Sequence, residues 1–139
     1  MKNLLRKTLL HGAVFILYVW LFVTVITGAA HITNGGIPRA FSKILPDGLM
    51  GFIDLSAISL PPILRWLHWD AGVSSKEILP VFNCGIGVIL AVSPDNVDTA
   101  KALIREQGVD VIMLGVVKAK REGSEAVEFN GCFSMSKTF

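Results

Sequence analysis

Residues 81–93 read VFNCGIGVILAVS, and this stretch decides the fold because a glycine-bearing turn leads directly into a continuous apolar run. The apolar run, Val88–Val92, is typical of a buried strand, which has no polar face. The pattern that follows predicts a helix over Asp95–Gln107, and Gly108 ends it. A second apolar run, Val111–Val117, predicts another buried strand. Strand, helix and strand together predict a βαβ unit of minimal length.

Outward from this unit, the chain predicts short elements separated by turns. The helix predicted over Ser59–Gly72 takes Ser59 as its N-cap, and Trp66 and Trp69 flank its apolar face. We expect both tryptophans to pack in the core or at a domain interface. The other predicted elements are a helix at Pro38–Ile44, a strand at Leu49–Leu55, a short helix capped by Ser74 or Ser75, and a strand at Ala126–Phe129.

These elements predict an α+β fold with a mixed sheet, a βαβ unit and flanking helices, preceded by an apolar N-terminal segment. The apolar segment includes residues 13–27, AVFILYVWLFVTVIT, which carry no charge. A short transmembrane or signal-anchor helix, a signal peptide and a buried strand leading into the domain all fit this run. We place residues 1–28 in an apolar leader and residues 29–139 in one domain.

Composition excludes some classes of function. The chain has 139 residues, enough for one domain, and a net charge of only +2 with scattered basic residues, so we expect no nucleic-acid partner. Cys84 and Cys132 have no metal-ligand spacing, and we expect two reduced thiols. His11 and His68 also lack ligand spacing, so no metal site is predicted.

Two glycine turns are candidate sites. Residues 31–36 read HITNGG, where exposed backbone N–H groups, with the Thr33 hydroxyl, suit an anion, and His31 suits acid–base work. The alternative is a turn with a structural histidine. In the second turn, Asn83 suits a ligand amide or, alternatively, the backbone of a neighbouring loop. Cys84 has apolar neighbours and is read as a packed thiol.

Four segments in order, AHITNGG, KILPDG, GFIDLSAISLPPILRWLHWDAGVSSKEI and FNCGIGV, resemble the C-terminal domain of phosphoribosylformylglycinamidine cyclo-ligase, the aminoimidazole ribonucleotide synthetase of purine biosynthesis. The family pattern runs Ala-His-Ile-Thr-Gly-Gly-Gly, Arg-Val-Leu-Pro, a Pro-Pro-x-Phe-x-Trp-Leu helix, and Phe-Asn-(Met or Cys)-Gly-Ile-Gly-Met. Departures fall at Asn34, Arg39-Ala40, Lys43, Pro80-Val81 and Val88. The Lys43 change loses the forked guanidinium geometry of arginine.

The resemblance implies an ATP- and Mg²⁺-dependent ligase that converts formylglycinamidine ribonucleotide to aminoimidazole ribonucleotide. In the family the ATP and Mg²⁺ motifs lie mainly in an N-terminal domain, which this chain lacks, so we expect a fragment that is inactive alone. A truncated or frame-shifted reading frame would fit that expectation. The alternatives are a non-catalytic relict, a membrane-tethered domain, or a subunit that needs a separate N-terminal half.

The resemblance also assigns residues and a location. His31 is the candidate catalytic residue, which would polarise a reacting or phosphate oxygen. We expect a cytoplasmic protein, with membrane association through residues 13–30 as the alternative. The candidate substrate-binding residues are Thr33, Gly35, Gly36, Lys43, Asn83, Gly85 and Gly87.

Overall fold

The computed structural model describes residue 19 and residues 25–135. Its helices and strands are short and are interspersed along the chain. In chain order they are β1 (Ile26–His31), α1 (Gly36–Ser42), β2 (Leu49–Asp54), a 3₁₀ turn (Leu55–Ala57), α2 (Pro62–Trp69), α3 (Ser75–Ile78), β3 (Val88–Val92), a 3₁₀ turn (Pro94–Asn96), α4 (Val97–Glu106), β4 (Gly115–Ala119) and β5 (Val127–Asn130).

The described strands form two sheets. In the first, β1 pairs antiparallel with β3, and the register places His31 opposite Val88 and Ala30 opposite Ile89. The second sheet has the order β4-β2-β5, in which β2 runs antiparallel to β4 and parallel to β5. The second sheet is therefore mixed, and the predicted α+β class with a mixed sheet and flanking helices is confirmed.

The predicted βαβ unit is wrong in its pairing. Its two strands, β3 and β4, lie in different sheets, because β3 pairs with β1 and β4 pairs with β2. The second strand also starts later than predicted, at Gly115, and residues 111–114 lie in no strand. Ile112 and Val116 are 47% and 53% exposed. A continuous apolar run carries no period that would specify its partner or its face, so the sequence left the pairing open.

One hydrophobic core joins the two sheets. Ala30 and Ile89 of the first sheet belong to the same buried cluster as Ile53 and Val127 of the second. Helix α1 covers this cluster with Phe41, which is 5% exposed. Since the loops that follow β1 and precede β3 start from this shared core, their main chains are held in place by packing.

Helix α2 starts later than predicted. Its N-cap is Pro61, and Ser59 instead forms a parallel bridge with Ser134. Trp66 is 54% exposed and Trp69 is 37% exposed, so the expectation that they pack in the core is wrong for the described chain. Their spacing places both on the solvent side of a helix whose buried side carries Leu64. Packing at a domain interface remains a prediction.

Part of the apolar N-terminal segment is strand β1. Residues 26–31 form this strand, in which Ala30 is buried and Thr27, Ala29 and His31 are exposed. The boundary expected after residue 28 thus falls inside β1. Residues 13–18 and 20–24 of the segment lie outside the described residues. In the described part of the chain, no helix has the length and hydrophobicity needed to cross a bilayer.

Candidate functional site

The two glycine turns lie side by side. We call Ile32–Gly36 loop 1 and Phe82–Gly87 loop 2. Loop 1 follows β1 and loop 2 precedes β3, and the N–H of Ile32 donates to the carbonyl of Gly87 at 2.9 Å. This bond extends the β1–β3 ladder past the last register pair of the strands. The antiparallel pairing therefore brings together two segments that are about fifty residues apart in the sequence.

Loop 1 owes its shape to Gly35 and Gly36, whose φ angles are 92° and 61°. Such positive values favour glycine strongly. The N–H of Gly36 donates to the carbonyl of Thr33 at 3.0 Å, so this donor is occupied within the loop. A β-carbon at Gly36 would overlap the carbonyl oxygen of Leu79 and lie 3.1 Å from that of Phe82. The absence of a side chain at Gly36 thus leaves room for the main chain that leads into loop 2.

Helix α3 fixes the start of loop 2. Ser74 and Glu77 form a capping box, in which the Ser74 N–H donates to Oε2 of Glu77 at 2.9 Å and the Ser74 hydroxyl donates to it at 2.7 Å. These hydrogen bonds, led by that of the Ser74 side chain, lower the pKa of Glu77. Of the two predicted caps, Ser74 and Ser75, Ser74 is the N-cap of the helix. The cap orders the turn of helix from which Leu79 and Phe82 reach Gly36.

Loop 2 is a turn closed by Asn83. Its side-chain oxygen Oδ1 accepts the N–H of Gly85 at 3.2 Å, and its carbonyl accepts the N–H of Ile86 at 2.9 Å. Positive φ at Cys84 (56°) and Gly85 (85°) is the signature of a type I′ turn. Asn83 thus satisfies backbone of its own loop through its oxygen, while its exposed amide nitrogen has no partner among the described residues. That nitrogen is the donor left for a ligand.

Cys84 is a packed thiol, as predicted. Its side chain is 1% exposed, and its Sγ lies 3.7 Å from the carbonyl of Phe82. Burial raises the pKa of this thiol to about 11. The reactive form of cysteine is the thiolate, so Cys84 does not serve as a nucleophile near neutral pH. The glycine that follows Cys84 is the sequence feature that could have predicted its positive φ.

His31 lies at the end of β1, on the strand face that points away from the core. It is exposed, as is its register partner Val88 at 55%. Thr33 and Asn83 are exposed on the adjoining loops, and Gly87 has open space where a β-carbon would stand. An imidazole, a hydroxyl and an amide donor are therefore exposed on β1 and its two adjoining loops. These groups can donate to ligand oxygens, and the imidazole can also take up a proton.

Two predicted residues face elsewhere. Gly85 packs against α2, since a β-carbon there would lie 3.4 Å from Cδ of Pro61. Lys43 is the C-cap of α1, at the end opposite Gly36, which corresponds to about 10 Å of helical rise. The main chain at Lys43 is therefore distant from Gly36 of loop 1, and Lys43 belongs to neither loop.

Arg39 is a cation that contacts loop 1. Its N–H donates to the carbonyl of Gly35 at 3.4 Å, and a β-carbon at Gly35 would lie 2.8 Å from Cβ of Arg39. The stem of Arg39 therefore passes beside the glycine turn. The spacing in the sequence is the signal for this contact, because Gly35 and Arg39 are four residues apart and residues with that spacing are neighbours on a helix.

The described residues do not form a metal centre. Across residues 25–135, no three side chains of His, Cys, Asp or Glu lie close enough together to hold a metal ion. The Mg²⁺ that the resemblance implies stays a prediction, and the resemblance places it mainly on the N-terminal domain of the family.

A protein-family model described as AIR synthase related protein, C-terminal domain, matches residues 9–128. The match covers most of the chain and includes both loops. It begins at residue 9, ahead of the boundary expected after residue 28.

Proposed function

We propose a function from one premise, which is that the chain belongs to the family described as AIR synthase related protein, C-terminal domain. Within this family, we assign the chain to the cyclo-ligase of purine biosynthesis, as its substrate-side domain. The substrate is formylglycinamidine ribonucleotide. Its formyl amide oxygen is phosphorylated at the expense of ATP, an amidine nitrogen attacks the same carbon, phosphate leaves, and the imidazole ring closes.

The observation that carries the proposal is the hydrogen bond of 2.9 Å between Ile32 and Gly87. It holds the two family motifs, loop 1 and loop 2, in one surface at the end of the β1–β3 sheet. In the proposed site, a substrate bound at His31 also contacts Thr33 and Asn83. Adjacent donors on fixed loops are what orientation of a small polar substrate requires.

We assign each side chain a role that its geometry permits. The His31 imidazole donates to the oxygen that gains negative charge, either the formyl oxygen or a phosphate oxygen. The Thr33 hydroxyl and the Asn83 amide nitrogen orient the substrate, while Gly87 leaves room for its approach. These roles require no metal ligand from the described residues.

ATP supplies the phosphoryl group that makes the oxygen a leaving group. Its binding is assigned to an N-terminal domain of the family type, present either in the same polypeptide or in a separate subunit. The ligase activity thus needs both domains, and residues 25–135 provide the face of the cleft that carries loops 1 and 2.

The test is reconstitution of the activity. The full chain is mixed with the N-terminal half of a cyclo-ligase, and formation of aminoimidazole ribonucleotide from formylglycinamidine ribonucleotide and ATP is measured. His31→Ala should lower kcat by about 10²- to 10⁴-fold. The control is Ala29→Ser, an exposed position on the same strand face. Unchanged turnover in His31→Ala would refute the role of His31.

Asn83 allows a sharper variant. Asn83→Asp keeps an oxygen that can accept the Gly85 N–H and removes the amide nitrogen that is assigned to the substrate. We expect this variant to fold like the wild type and to raise KM. If the reconstituted wild type makes no product although formylglycinamidine ribonucleotide binds, the chain is a non-catalytic relative.

A further inference from the structure

A concave surface lies where α1 meets the entry to β5. It is a cleft of about 290 Å³, lined by Pro38, Arg39 and Ser42 of α1 and by Glu125, Ala126 and Val127 at the entry to β5. Its volume is at the lower limit of small-molecule sites, which suits a ligand of a few heavy atoms and is too small for a nucleotide.

The cleft carries two opposite charges that are not paired. Arg39 and Glu125 are both exposed, and within residues 25–135 neither the guanidinium nor the carboxylate has a hydrogen-bond or ion-pair partner. The hydroxyl of Ser42 donates to the Arg39 carbonyl at 3.1 Å and keeps its lone pairs for a ligand. The walls therefore offer one cation, one anion and one hydroxyl acceptor.

The main chain on both sides of the cleft is fixed although the charges are free. The N–H of Gly51 donates to the carbonyl of Ala126 at 2.9 Å and ties that wall to β2. Val127 is 8% exposed and belongs to the core cluster. On the facing wall, Arg39 is anchored to Gly35 through its N–H. The main chain that carries Arg39 and adjoins Glu125 is therefore held in place in the free protein.

We propose that this cleft binds a small zwitterion of the α-amino acid type. Its carboxylate meets the Arg39 guanidinium, whose forked donors match a carboxylate, and its ammonium group meets the Glu125 carboxylate. A ligand with only one charge would leave the other wall unmatched. The inference is independent of the cyclo-ligase assignment, because none of its charged groups belongs to loop 1 or loop 2.

The test is a titration of the full chain with glycine, in which binding is measured from the NMR chemical shifts of the backbone amides that line the cleft. Acetate and methylammonium, which each carry one of the two charges, serve as comparison ligands. Glycine should bind with a Kd of about 1 to 10 mM, and each half-ligand at least about fivefold more weakly. Arg39→Gln and Glu125→Gln should each weaken glycine binding by at least about fivefold.

The controls remove equal charges outside the cleft. Lys76→Gln on α3 and Glu106→Gln on α4 replace exposed residues and should leave the Kd of glycine unchanged. The double swap Arg39→Glu with Glu125→Arg should restore binding, with the ligand reversed. The proposal is overturned if glycine causes no saturable shift, if acetate binds as tightly as glycine, or if Glu125→Gln binds glycine like the wild type.

Discussion

Replacing Gly36 with alanine tests the contact that holds loop 1 against the entry to loop 2. At φ 61° the new residue is strained regardless of space. Its β-carbon would also overlap the carbonyl oxygen of Leu79 and lie 2.9 Å from the Leu79 carbonyl carbon. Both neighbours are main chain, which cannot rotate away as a side chain would. The substitution must therefore push α3 and loop 2 away from α1.

The expected loss has two parts. Placing alanine in the left-handed region costs about 1 kcal/mol, and forcing a methyl group into a packed contact costs about 1 to 3 kcal/mol. Together they lower the free energy of unfolding by about 2 to 4 kcal/mol, a large share of the stability of a domain of this size.

The matched control is Gly48→Ala. Gly48 has a φ of 82°, but a β-carbon there would meet nothing within 4 Å. Its loss should be only the conformational part, about 1 kcal/mol. Urea unfolding of the two variants measures the difference, which is the cost of the overlap. Equal losses in Gly36→Ala and Gly48→Ala would refute the packing of loop 1 on Leu79.

Three further predictions concern the two cysteine thiols, the capping box of α3 and the exposed side of α2. Cys132, which is exposed, should react with a thiol reagent at about pH 8, whereas Cys84 should react only after unfolding, because its pKa of about 11 keeps it protonated; equal rates would contradict this. The lowered pKa of Glu77 means that the capping box stabilises the fold above the ordinary carboxyl pKa and loses its effect as pH falls through the folded value. Ser74→Ala should therefore destabilise the chain to urea more at about pH 7 than at about pH 2, and a pH-independent loss would argue against the linkage. Trp66→Gln should reduce binding of an apolar dye to the chain, because Trp66 is 54% exposed, and unchanged dye fluorescence would contradict an apolar surface on α2.

Local elements were predictable where the sequence carries clear start and stop signals. The strand expected at Leu49–Leu55 is β2, which differs by one residue, and the bounds of β3 agree with the predicted run Val88–Val92. The short helix was expected with a cap at Ser74 or Ser75, and the structure has its N-cap at Ser74. Each of these signals acts over a few residues, which is why one sequence was enough to find them.

Strand pairing was not predictable from the same signals. The helix α4 connects β3 to β4, and such a connection usually joins parallel neighbours in one sheet. Here β4 pairs with β2 through five register positions, from Leu49–Ala119 to Ile53–Gly115. Gly115 permits that approach, since a β-carbon there would overlap the Phe52 carbonyl. This requirement appears only once the partner strand is known.

The candidate site was predictable as two separate motifs and not as a surface. Loop 1 and loop 2 were recognised by their glycines and by the family resemblance, and the family match supports that resemblance. The use of Gly36 as a contact for Leu79, and of the Asn83 oxygen within its own turn, depends on distant or three-dimensional neighbours. Among the side-chain groups proposed for the substrate on the two loops and the end of β1, those of His31 and Thr33 and the Asn83 amide nitrogen are exposed.

A double-mutant cycle tests most directly whether loops 1 and 2 form one substrate site. The affinity of formylglycinamidine ribonucleotide is measured for the wild type, His31→Ala, Asn83→Asp and the double variant, each combined with the ATP-binding half. One shared site predicts a coupling energy of about 0.5 to 3 kcal/mol between the two changes. Losses that add within about 0.3 kcal/mol, or single variants that bind like the wild type, would contradict it.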